Sequence, residues 1–147
     1  MRSGDLKVLL LIFVPMALGI IVSSPYFGYN FPIFLSGLFL AFWFWVGMLF
    51  ADMSIGKGVS YFLGNSLTVI SGLVYYWSFF IVSEEARNIY LAALSQFYAI
   101  PTAAISGQVW MVFNPGVVDN RFLLISYGLM FLVFTVGFIM KLRQISK

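Results

Sequence analysis

Charged residues divide the chain into long apolar runs. None falls between Lys7 and Asp52, a stretch too long for one membrane crossing of about 20 residues and suited to a helical hairpin. The turn of that hairpin is expected at 23–32, where Pro25, Gly28 and Pro32 break a helix and Tyr26 and Tyr29 suit a headgroup region. Helices are therefore predicted over 6–23 and 32–51. After the linker 52–57, a second uncharged block predicts a helix over 60–82. A last one follows over 122–140, with Lys141, Leu142 and Arg143 expected to end it and begin a basic tail, 141–147.

The segment 91–113 is also free of charge, but it contains Ser95, Gln96, Pro101, Thr102, Ser106, Gly107 and Gln108. Lys and Arg collect in short cytoplasmic segments, and this decides whether it is a fifth crossing. With four crossings, Arg2, Lys7, Lys57, Lys141, Arg143 and Lys147 share one side against Arg87 and Arg121; with five, the basic residues divide evenly. Four crossings are therefore predicted, with both termini cytoplasmic and 83–121 as an extracytoplasmic cap. Within the cap, Ser83, Glu84 and Glu85 read as a helix start. Ala86, Tyr90, Ala93, Phe97 and Ile100 recur at helical steps, as on an amphipathic helix lying on the membrane. A re-entrant pair of short helices is the alternative, with Pro101 as the break and Asn114, Pro115 and Gly116 as the turn into the last helix. The fold class expected is an all-α integral membrane protein, a four-transmembrane-helix bundle with an amphipathic or re-entrant extracytoplasmic segment between helices 3 and 4.

Composition agrees. Hydrophobic residues make up 62% of the chain and charged residues 9%, where a soluble domain carries roughly a quarter charged. Arg2 and Lys7 before an apolar run imitate a secretory leader. Pro25 after Ser23 and Ser24 disfavours cleavage, so 6–23 is expected to be a retained helix. The absence of Cys and His removes disulfides, thiolate chemistry and the usual zinc and haem ligands, and no cofactor is expected. A net charge of +3 is too small for a nucleic-acid surface.

Candidate chemistry is thin. Gly56-Lys57-Gly58 is no phosphate loop, because Ala51 stands at the first glycine position and Gly58 replaces the magnesium-binding hydroxyl. Adjacent Glu84 and Glu85 point to different sides of a helix, and no histidine is present to activate a serine. No Asp, Glu, Lys or Arg falls well inside the four predicted crossings, which disfavours a proton-coupled carrier. Ser60, Gly64, Thr68 and Gly72 form a stripe of small residues, and Gly37 with Ala41 a shorter one. Both suit close helix packing, within the chain or between copies. Asn65 is the one conspicuous polar side chain inside a crossing, expected to bond to a neighbouring helix. Of two aromatic clusters, 75–80 suits an interfacial belt and 39–45 a deeper lipid-facing or interhelical surface. Lys57, Lys141, Arg143 and Lys147 are candidate contacts to anionic lipid or a cytosolic partner.

These features lead to the expectation of a non-enzymatic membrane subunit, in a bacterial cytoplasmic membrane, that oligomerises or anchors a partner protein. Membrane lipids and a second protein, of its own kind or another, would be its partners. A toxin-immunity or phage-defence component is one alternative. A holin-like pore built on Ser60, Asn65, Thr68, Ser71 and Ser78 is another.

Overall fold

The computed structural model describes residues 3–24, 32–117 and 119–146, so Arg2, Lys147 and most of the predicted first turn lie outside the described residues. Every regular element among those described is helical. α1 (Ser3–Leu10) continues through a 3-10 turn, Leu11–Phe13, into α2 (Val14–Val22). α3 is Ile33–Asp52. α4 (Lys57–Tyr76) ends in a π-helical turn, Trp77–Ile81. α5 (Ile89–Ala99) and α6 (Ala103–Phe113) are joined by a 3-10 turn, Ile100–Thr102, and α7 is Phe122–Ile145. Pro15 explains the tightening before α2: it has no N–H to give the Leu11 carbonyl, which takes the Val14 N–H instead.

Four helices are long and apolar enough to cross a membrane: Gly4–Val22, Ile33–Asp52, Ile89–Phe113 and Phe122–Ile145. Three of them correspond to predicted crossings. The fourth is the supposed cap, and α4 is not in the set because Ser60, Asn65, Ser66, Thr68 and Ser71 dilute its hydropathy.

Contacts along the bundle fix its directions. At one end, which we call the base, the Ser54 N–H and hydroxyl donate to the Asp5 carboxylate, and Lys141 pairs with Asp52 at 3.0 Å. The start of α1, the α3–α4 turn and the end of α7 therefore meet there. α3 and α7 run parallel, and α4 runs antiparallel to α7 along its length. The Tyr61 and Phe138 rings lie 5.2 Å apart near the base, and the Tyr75 hydroxyl reaches the Asn120 carbonyl at 2.7 Å near the far end. The α5–α6 rod behaves differently. It leaves the far end, where Arg87 donates to the Ser78 carbonyl at 2.8 Å, and it returns there, where Ser126 bonds Ser106 at 2.8 Å and Trp110 reaches the Val117 carbonyl at 2.9 Å. Its bend, Pro101 and Thr102, is buried in the bundle. Residues 89–113 thus form a bent helical pair whose two arms both lead to the far end, with α5 packed on α2 and α4, and α6 on α7.

Three glycines set how closely these rods approach. A methyl group at Gly47 would overlap the Phe134 carbonyl oxygen on α7; one at Gly137 would overlap the Phe44 carbonyl oxygen on α3; one at Gly19 would overlap the Phe97 carbonyl oxygen on α5. Backbone meets backbone at all three places. The α3–α7 pair is the most extensively packed in the molecule, and around it Trp43, Phe50, Met130 and Phe134 are completely buried.

Several expectations are corrected. Lys141 and Arg143 do not end the last helix, which continues to Ile145, since both are good helix formers and cations suit a helix C-terminus. α5 does not begin at Ser83. It starts at Ile89, where the Asn88 side chain accepts from the N–H groups of Tyr90 and Leu91. The buried face of α5 is Ala92, Ser95, Tyr98 and Ala99, packed within the bundle, while Tyr90 is 83% exposed. The periodicity of Ala86, Tyr90, Ala93, Phe97 and Ile100 marked the wrong face because the true one carries a serine and a tyrosine hydroxyl.

Two glycines on α7 provide a comparison. Gly137→Ala is expected to destabilise the chain by about 1–3 kcal/mol or to prevent folding, as overpacking does. Gly128→Ala, at a position with nothing within 4 Å, should be neutral or stabilising by about 0.5–1 kcal/mol through helix propensity. Unfolding midpoints of the purified variants in one detergent would check both.

Candidate functional site

Two regions gather the polar groups of the interior. The first surrounds the bend between α5 and α6. Tyr98 projects from α5 to lie 3.3 Å from the Thr68 hydroxyl on α4 and to donate to the Ile12 carbonyl at 3.2 Å, in the 3-10 turn before α2. From α7, Tyr127 donates to the Ser95 carbonyl and Ser126 to the Ser106 hydroxyl. Ser95, Thr102 and Ser106 in turn donate to carbonyls of their own helix, at 2.7, 3.0 and 3.1 Å. All of these hydroxyl groups are buried. They close on one another and on carbonyls, an arrangement that fixes where the bend sits and offers no free nucleophile.

The second region is a cavity of about 510 Å³ at the far end, between the end of α2, the start of α3, α6 and the start of α7. Val22, Ile33, Ile100, Met111 and Phe122 contribute apolar wall, and Ala103, Ala104 and Gly107 recess the α6 side. Ser23 and Gln108 are its hydrogen-bonding side chains, and the buried Ser23 hydroxyl has no partner among the described residues.

The residues singled out from the sequence divide into three groups. Ser60, Gly64, Thr68 and Gly72 face the interior: Ser60 donates to the Phe50 carbonyl, Gly64 admits the Phe134 ring, Thr68 meets Tyr98, and Gly72 lies under Tyr127. Gly37 and Ala41 face outwards; a methyl at Gly37 would meet nothing within 4 Å, and Ala41 is exposed. The basic residues lie at the base. Lys57 caps α3 by donating to the Ala51 and Met53 carbonyls at 2.6 and 3.3 Å, Lys141 pairs with Asp52, and Arg143 is exposed. Asn65 is buried, but it donates only within its own helix, to the Tyr61 carbonyl at 3.3 Å, and its carbonyl oxygen has no partner. The interhelical bond expected of it is absent among the described residues, because the small residues beside it already bring α4 into contact with its neighbours.

Sequence reasoning missed Gly19 and Gly137, which stand apart from any small-residue repeat, and Tyr98 and Tyr127, whose hydroxyls bond to distant carbonyls. No family model matches the chain, and no curated protein or solved structure matches it either.

The Ser106–Ser126 bond should show as energetic coupling. Ser106→Ala, Ser126→Ala and the double substitution, compared by reversible unfolding in mixed micelles, are expected to give a coupling of about 0.6–1.7 kcal/mol, the range of hydrogen bonds between membrane helices.

Proposed function

We propose that this chain is a non-catalytic subunit of a membrane assembly, crossing the bilayer through α1–α2, α3, α4 and α7, with the base on the cytoplasmic side and α5–α6 entering from the opposite face. Lys7, Lys57, Lys141 and Arg143 at the base, against Arg87 and Arg121 at the far end, support that orientation. The large apolar side chains exposed all round, among them Leu38, Phe62, Leu73 and Leu132, support a lipid surrounding.

The observation that carries the subunit reading is how the small residues are used. The chain's own rings and carbonyls close over Gly19, Gly47, Gly64, Gly72 and Gly137. Gly37 and Ala41 on α3 stay open, between exposed Phe34, Leu38 and Trp45. Small residues are what allow a second transmembrane helix to approach closely, so this face of α3 suits a helix from another chain.

Two experiments test the proposal. The chain has no cysteine, so single cysteines can be introduced without removing others. In intact cells, Glu84→Cys and Asn114→Cys should both react with an impermeant maleimide, and Ser146→Cys only after lysis; opposite reactivity at 84 and 114 would make 89–113 a full crossing. For assembly, the intact mass of the gently extracted protein should exceed that of one chain, and Ala41→Phe should reduce it to the monomer. A monomeric wild type would end the subunit reading.

A further inference from the structure

The far-end cavity has features that the subunit reading does not use. Its volume, about 510 Å³, lies in the range of roughly 300–1,000 Å³ typical of small-molecule sites, and its walls come from four separate elements. Local sequence creates it. On α6, Ala103, Ala104 and Gly107 fall on successive turns of one face, and a side chain added at Gly107 would meet nothing within 4 Å, so the wall is set back where larger residues would fill it. Opposite, at the end of α2, the Ser23 hydroxyl is buried without a hydrogen-bond partner among the described residues. Leaving such a group unpaired costs about 1–3 kcal/mol, and a ligand atom that bonds to it would recover that cost. The Gln108 side chain is exposed, lines the same cavity and makes no hydrogen bond among the described residues.

We propose that this cavity binds a single acyl chain of a membrane lipid, with the ester carbonyl or hydroxyl beside it accepting from or donating to Ser23 and Gln108. Water does not account for the whole cavity: one bridging Ser23 and Gln108 would take up only about 30 Å³ of it and leave the apolar wall uncovered. A partner helix is too wide, at about 10–12 Å across with its side chains. An acyl chain matches the apolar wall, and the bilayer supplies it at high concentration on the side where the re-entrant pair enters.

Trp110 lines the cavity and serves as a reporter. Of the other tryptophans, Trp45 and Trp77 are exposed, so they are replaced by Phe, and Trp43 is fully buried and remains as a constant background. The full chain carrying Trp45→Phe and Trp77→Phe, stripped of lipid in detergent, is titrated with phosphatidylcholine brominated on one acyl chain. Saturable quenching approaching one lipid per chain is expected. In the same background, Gly107→Leu should fill the cavity and abolish the saturable component, with helicity and unfolding midpoint checked alongside. Ser23→Ala should weaken binding about threefold to tenfold while leaving maximal quenching unchanged, as loss of one hydrogen bond does. Ser23→Ala removes only an unbonded oxygen atom, so it still reports if Gly107→Leu fails to fold. Quenching that rises only in proportion to the lipid fraction of the micelle would overturn the proposal, as would saturable quenching that Gly107→Leu and Ser23→Ala leave unaltered. Gly37 and Ala41 do not line the cavity, so a monomeric protein that still binds lipid would refute the subunit reading alone.

Discussion

The contact on which the rest of the structure depends is the meeting of two backbones, α3 and α7, at Gly47 and Gly137. Each glycine receives a carbonyl from the other helix, from Phe134 and Phe44, so the helices approach more closely than any side chain would permit. In a lipid surrounding, water provides no hydrophobic drive between helices, and dense packing must hold them together. That closeness lets Trp43, Phe50, Met130 and Phe134 form a filled core around the pair. α3 and α7 run parallel, and α4, joined to α3 by the short turn 53–56, returns antiparallel to both.

Once the central pair is set, the remaining elements are positioned by polar groups. Asp5 holds the start of α1 to Ser54, Lys57 covers the last carbonyls of α3, and Arg87 covers a carbonyl of the π-helical turn. Hydroxyls hold the bent pair α5–α6. In an apolar interior these bonds contribute modest energy individually, but an unmade bond is costly, so together they select one arrangement.

The broad architecture was legible because it depends on quantities that a sequence displays directly. Charge-free runs bounded by Lys7, Asp52 and Lys141 match three of the four helices long and apolar enough to cross a membrane, and Asn114, Pro115 and Gly116 marked the turn before the last. The stripe of Ser60, Gly64, Thr68 and Gly72 lies on a face that other helices of the chain cover. The interior of 83–121 was harder to read, since a helix that dips into protein buries serine and tyrosine hydroxyls and so inverts the polarity pattern of a helix at a surface. Tyr98 and Tyr127 illustrate this: their apolar rings pack, and their hydroxyls bond to carbonyls that no local pattern announces. Gly19 and Gly137 were invisible for another reason, because an isolated glycine carries no sign of the backbone that will lie against it. The far-end cavity depends on four elements distant in sequence, so no local pattern announced it.

The bent pair also bears on how such a chain is made. Residues 89–113 emerge from the ribosome before Ser126 and Tyr127, the two α7 residues that hold them in their bent form. Until α7 arrives, α5 can already pack on α2 and α4, but α6 lacks the helix against which it packs most extensively. The packing of α6 therefore waits on the last helix, and a nascent chain stopped before residue 122 lacks the surface against which that half of the pair rests.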